Sequence, residues 1–169
     1  MRGYRIRRPS DLSGVEWDVI DGMWDAISPS AKPRRLARAL RRATEGQIAI
    51  FACTWYEREI NNGGHVQFFW NPAGILWPEA LDGFERMGAG EHAEILRRAV
   101  ARFDPVPPAR DHRERMEQVR AVTGDLDDDD FEDEVFSDLD DAFYDLQRRS
   151  PMSTAFRDHV LGRPEEFFV

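Results

Sequence analysis

The chain has 169 residues, 41% of them apolar and 11% aromatic, which suits one domain with a full core and not a disordered chain. No run of about 18 apolar residues occurs, so no membrane-spanning helix is expected, and a single cysteine, Cys53, excludes an internal disulfide and a cysteine-rich metal site. The net charge of −9 is unevenly spread, at +5 over residues 1–42, −3 over 43–124 and −11 over 125–169, a polarity that suits electrostatic steering or association between unlike ends.

The N-terminus, Met1 to Arg8, is basic and leads into no apolar stretch. It is therefore not a secretory signal, and a cytoplasmic location is expected. From a Ser10 N-cap, Leu12, Val15, Val19, Ile20, Met23, Trp24 and Ile27 recur at helical spacing. Pro33 suits the first position of a second helix, Arg34 to about Thr44, with a dense arginine face (Arg34, Arg35, Arg38, Arg41, Arg42) and a break at Gly46.

A third helix is predicted from about Gln47 to Ile60, carrying Ile48, Phe51, Ala52, Trp55 and Ile60 on one stripe, with Cys53 beside it as a core residue. Asn61-Asn62-Gly63-Gly64 stops it, and a short aromatic helix follows from about His65 to Trp70. Pro78 begins a helix over Ala80, Leu81, Phe84 and Met87 that ends at Gly88-Ala89-Gly90. Another spans Glu91 to Phe103, a stiff linker follows through Pro108, and Arg110 to Val122 reads as a charged surface helix.

The acidic stretch then opens a helix of about twenty residues with Phe131, Val135, Leu139, Ala142 and Leu146 on one stripe. A last helix runs from about Met152 to Leu161, with Phe156 and Val160 inward. Without strand-type alternation or repeats, the fold expected is an all-α, single-domain packed array of about seven to nine helices. Residues 1–44 would form a basic helical segment packed on a main domain of residues 45–169, as one folding unit.

Residues 125–145 hold twelve carboxylates. Asp129, Asp130, Asp133, Glu134, Asp138, Asp140, Asp141 and Asp145 spread over the half of the helix opposite the apolar stripe. At about 1.5 Å per residue, 21 residues span roughly 31 Å. Duplex DNA carries one phosphate per roughly 3.4 Å of each strand, so the linear charge densities are comparable. One reading is a surface that binds a basic protein in place of DNA; the other is a solvated charged face. The run lacks the glycine and ligand spacing of a calcium loop.

The Asn62 region also carries two readings. Asn62, His65, Gln67 and Asn71, with Glu57, would form an enzymatic or small-ligand site if they converged on an open pocket. Alternatively, the glycines stop the helix and the amides pair with freed backbone groups under an aromatic roof. The four histidines, His65, His92, His112 and His159, are scattered in sequence and read as surface or capping residues. Nucleophile elbows, phosphate loops and His-Glu-x-x-His are missing. No catalytic residue, metal or cofactor is selected. The arginine segment reads either as a nucleic-acid contact or as a solvated or docked face, and no DNA-reading motif accompanies it.

The pattern Glu57, Asn61, Asn62, Gly63, Gly64, Gln67, Phe68, Phe69, Asn71, Gly74 resembles a bacterial domain of unknown function, best known as the C-terminal domain of a DNA-mimic protein. Ala80-Leu81 with Met87-Gly88-Ala89, Ala99 with Phe103, Leu139 to Tyr144, His159, and Pro164-Glu165 with Phe167 are similar too, so the likeness covers roughly residues 45–168. The resemblance implies a mostly helical protein, and the family's named member is an acidic dimer that occupies the DNA-binding face of a transcription factor. Together with the carboxylates of residues 125–145 it leads to the expectation of a non-enzymatic module that occupies the DNA-binding face of a basic partner such as a transcription regulator, with a homodimer as one option. It also implies that the shared motif serves the fold. An immunity or antitoxin-like protein that binds one basic toxin or nuclease is the alternative. Neither reading involves direct nucleic-acid or membrane binding.

Overall fold

The computed structural model describes residues 3–11, 14–124 and 134–169, Glu134 by its backbone alone. Helices follow in the order α1 (Val15–Asp18), α2 (Asp21–Trp24), α3 (Pro33–Leu40), α4 (Glu45–Trp70), a 3₁₀ turn (Pro72–Leu76), α5 (Trp77–Arg86), α6 (Gly90–Val100), α7 (His112–Thr123), α8 (Glu134–Arg149), α9 (Met152–Gly162) and a second 3₁₀ turn (Pro164–Glu166). Among the described residues the only strand-like pairing is a single parallel bridge between Ile6 and Phe168. The all-α expectation holds.

Helix α4 is the axis of the molecule, and α5, α7, α8 and α9 pack around it. Its start is set by a capping box. The Thr44 hydroxyl accepts the Gln47 N–H, and the Gln47 side chain accepts the Thr44 N–H. Gly46 therefore lies inside the first turn and does not break the chain. Tyr56 stands at the centre of an aromatic cluster, edge-on to Phe68, Phe84 and Phe143 and fully buried with them. Each such ring contributes roughly 1.5–3 kcal/mol by leaving water. Helix α5 approaches α4 closely because Gly83 has no side chain: a Cβ there would lie 2.9 Å from the Cys53 sulfur and 3.0 Å from the Ala49 Cα. Cys53 is buried in the core, as expected.

The N-terminal third departs from its predicted outline. The expected first helix is two single turns, α1 and α2, and Gly14 rather than Ser10 stands at the N-cap of α1. Helix α3 ends at Leu40, short of Thr44. The segment is nonetheless joined to the rest. Gln47 Nε2 donates to the Val19 carbonyl over 3.1 Å, Trp24 stacks on Trp55, and Ile6 exchanges backbone bonds with Phe167 and Val169. The basic arm thus runs along the C-terminal residues, with Arg8 over the Phe168 ring.

In α8 the buried stripe is Phe136, Leu139, Phe143 and Leu146: Leu139 and Leu146 lie inward as predicted, while Phe136 and Phe143 take the inward places expected of Val135 and Ala142, which pack at its edges. Phe131 lies outside the described residues. Helix α7 is not simply a surface helix, because Arg115 and Val119 are completely buried against α4.

Candidate functional site

The Asn-Asn-Gly-Gly segment breaks α4 as predicted. Gly63 (φ −172°, ψ 30°) and Gly64 (φ 71°, ψ −171°) are non-helical, and the chain then resumes a helix to Trp70. At Gly64 the positive φ suits glycine, and a Cβ would fall 2.3 Å from the Asp140 carboxylate.

Helix α8 bridges this break. Asp140 Oδ1 accepts the backbone N–H of His65 over 2.9 Å and, in a very short contact, the Nδ1–H of the same residue. With Nδ1 donating, Nε2 is the acceptor for the Tyr56 hydroxyl at 2.7 Å. One turn on, the Tyr144 hydroxyl donates to the Ile60 carbonyl over 2.8 Å. Asp140 therefore supplies an acceptor at the N-terminal end of the second segment, and Tyr144 a donor at the C-terminal end of the first. His65 is 0% exposed and the Asp140 side chain 21%. The arrangement has the members of a proton relay, but with the imidazole and Tyr56 sealed in the core it builds the fold.

The expectation that the histidines lie on the surface is corrected here. His65, His92 and His159 are all buried, and only His112 is exposed, its Nε2 donating to the Trp70 carbonyl. His65 and His92 are drawn inward by aromatic neighbours, His92 stacking on Phe84.

Four motif positions meet around a residue that the motif reading passed over, Glu59. Its Oε2 accepts Gln67 Nε2 over 2.7 Å and Asn71 Nδ2 over 2.8 Å, and Asn62 Nδ2 donates to Gln67 Oε1 over 2.9 Å. Asn61 is exposed beside them. Two clefts share Trp55 and Glu59. One, of about 490 Å³, is lined by Trp24, Asp25, Ile27 and Asn71; the other, of about 540 Å³, by Arg58, Asn61, Asn62 and Gln67.

Glu57 and His65 do not join this group, since Glu57 accepts Gln147 Nε2 from α8 and His65 lies in the core. Burial pushes the Glu57 carboxyl above its usual range, while the Gln147 hydrogen bond opposes the shift. Phe68 and Phe69 are core residues, and Gly74 is buried in the 3₁₀ turn. The pocket imagined for Glu57, Asn62, His65, Gln67 and Asn71 together does not form. Nothing in the spacing of Glu59 marked it, because its partners reach it only after the chain reverses at the glycines.

Arg115 was also missed. Its guanidinium donates to the carbonyls of Phe69 (2.8 Å), Ala109 (3.0 Å), Arg110 (3.2 Å) and Asn71 (3.0 Å). It satisfies carbonyls at the C-terminal end of α4, where positive charge also suits the helix dipole. Burial pulls its pKa down to about 10, so it remains charged at neutral pH.

Of the carboxylates proposed from sequence as a binding surface, Asp129, Asp130 and Asp133 and the Glu134 side chain lie outside the described residues. Asp138, Asp141 and Asp145 are exposed at positions i, i+3 and i+7 of α8, on one face. Asp138 pairs with Arg102 (2.7 Å) and Arg98 (3.2 Å), and Asp145 pairs with Arg148. Asp140 leaves that face for His65. Among the described residues no group of three or more His, Cys, Asp and Glu has a metal-holding arrangement, and no helix is long and apolar enough to cross a membrane.

No curated protein and no solved structure matches the chain. The family model described as DMP19-like protein matches residues 41–159, which takes in the broken helix, the Glu59 corner, Arg115 and α8. That span is well over half of the sequence and agrees with the likeness carried by Glu57 to Gly74, so the chain belongs to the DMP19-like protein family.

Proposed function

We propose that the protein is a non-enzymatic, acidic protein-binding module whose carboxylate-rich segment occupies the DNA-binding face of a basic partner. The observation that carries this reading is the concentration of twelve carboxylates in residues 125–145 of a chain whose first 42 residues are net positive. Family membership supports it. The surface comprises Asp129, Asp130, Asp133 and Glu134, continued along α8 by Asp138, Asp141 and Asp145. Asp138 contributes less than its formal charge because two arginines stand beside it. Complementary potential of this kind accelerates encounter and makes binding sensitive to salt.

The N-terminal segment, residues 1–44, belongs to the same folding unit and, through Ile6 and Arg8, runs along the C-terminal residues. The test is affinity capture on the full chain at low and high salt, beside a variant with Asp129, Asp133 and Asp141 changed to Asn and Glu134 to Gln. Loss of a DNA-binding protein from the variant, with a flattened salt dependence for what remains, is expected. Equal retention by both chains at low salt would overturn the reading.

A further inference from the structure

Glu59 is an unusual carboxylate. Its Oε2 is held by two neutral amide donors, Gln67 and Asn71, while among the described residues no Lys, Arg or His nitrogen lies within ion-pair distance and no group donates to Oε1. Gln67 is itself held by Asn62, which fixes its amide with the NH₂ group toward Glu59. Two amides, one of them braced by a third, thus orient one negative charge without neutralising it. A partly buried carboxylate held only by neutral donors keeps its charge unbalanced and lacks the ion pair open to it. The place it is held is the junction of the two clefts, both walled by the Trp55 indole.

The surrounding chemistry favours a cation. Trp24 stacks on Trp55 with ring centroids 4.8 Å apart, and the Arg58 guanidinium already lies 5.4 Å from the Trp24 centroid, so this indole pair is placed for cation–π contact. Asp25 adds a second carboxylate to the first cleft. The Trp55 Nε1–H is itself buried without an acceptor, so its signal reports on the packing of the indole wall and not on a bond to the ligand.

We propose that the Glu59 corner is a receptor for a guanidinium or ammonium group, with Oε1 of Glu59 as the anion, the Trp55 indole as the wall, and Gln67 and Asn71 as positioning residues. Pre-orientation by the amides lowers the ordering cost of binding. The group is either a free small cation or a basic side chain presented by a protein, and the second source deepens the reading above by giving the basic partner an anchoring point.

The test uses the full chain labelled with ¹⁵N and follows the Trp55 indole N–H signal, assigned with Trp55→Phe, at constant ionic strength. The two probes are methylguanidinium chloride and acetyl-arginine methylamide, with sodium chloride as the blank. Saturable shifts with at least one probe are expected, weakened about tenfold in Glu59→Gln, a loss equivalent to about 1.4 kcal/mol. Glu59→Gln keeps an oxygen for Gln67 and Asn71 and should remain folded; Asp25→Asn, outside the amide network, should weaken binding by a smaller factor. Arg58→Gln should not weaken it. Binding of methylguanidinium alone as tightly as the arginine derivative points to a free cation. Preference for the derivative points to a basic side chain presented by a protein. Shifts no larger than those of sodium chloride, or equal affinity in Glu59→Gln, would overturn the proposal. The test needs no partner and leaves residues 129–141 untouched, so it fails or succeeds independently of the DNA-mimic reading.

Discussion

Asp140 Oδ1 accepts both the backbone N–H and the imidazole Nδ1–H of His65, a residue 75 positions earlier in the chain. One carboxylate oxygen therefore caps a helix start and fixes the tautomer of a buried ring. Removing it strands both donors in a nearly water-free place. Asp140→Ala is expected to destabilise the fold by about 2–4 kcal/mol, the sum of a lost cap and a stranded buried donor. Asp141→Ala, the next residue and exposed, should change stability by no more than about 0.5 kcal/mol. Chemical denaturation of the two variants, read as a shift in midpoint at constant slope, separates a carboxylate that builds the fold from one that faces outward.

Arg115 offers a second test. Replacement by Met keeps much of the stem's volume but leaves the Phe69 and Asn71 carbonyls without this donor, and a loss of roughly 2–4 kcal/mol is expected. Arg113→Met, two residues away with a 91% exposed side chain, should be close to neutral. Comparable midpoints for the two variants would show that the end of α4 does not depend on this guanidinium.

The buried imidazoles predict a pH dependence. Burial lowers the pKa of His92 and of His159 below the ordinary value, against the pull of nearby Glu91 and Glu166 respectively. Below about pH 6.5 the unfolded chain takes up these protons before the folded one does. Their stabilising effect is thus full above that pH and is lost as pH falls from there through the depressed folded values.

Two carboxylates act lower on the scale. The Arg102 hydrogen bond holds Asp138 below the usual range. Glu166 is held low by Arg86 and the Gly46 N–H, against a burial that would raise it. Their contributions fade in a more acidic window, below about pH 4.5. Thermal melts from pH 7.5 downward should show a first decline that is absent from a His92→Gln, His159→Gln double variant. An unchanged decline would assign it to other groups.

Much of the fold was legible because local rules and tertiary structure agree. The helical spacing, the glycine stop after Asn62, Pro78 in the first turn of α5 and the inward Phe156 and Val160 are all found. In α8 Leu139 and Leu146 face inward as expected, but Phe136 and Phe143 displace Val135 and Ala142, because neighbouring positions both fit the helical spacing and burial of the larger rings decides between them.

The site residues were harder to read for a different reason. Glu59 resembles any charge on a helix until the reversal at Gly64 returns Gln67 and Asn71 to it. Arg115 resembles any surface cation until carbonyls from the end of α4 surround it. In both, the informative fact is a long-range contact, and spacing along one helix carries no trace of it.

Helix α8 presents Asp140 and Tyr144 one turn apart, and these reach the two severed ends of α4. A helix end in water exchanges its amide hydrogens quickly, and a chain with two adjacent glycines would ordinarily bend there. With one end clamped by a carboxylate and the other by a phenol, both mounted on the same rod, the break cannot flex unless α8 lifts away. The Gly63–Gly64 joint is accordingly a weld, and the His65 amide, bonded to Asp140, is expected to share the slow exchange of the core.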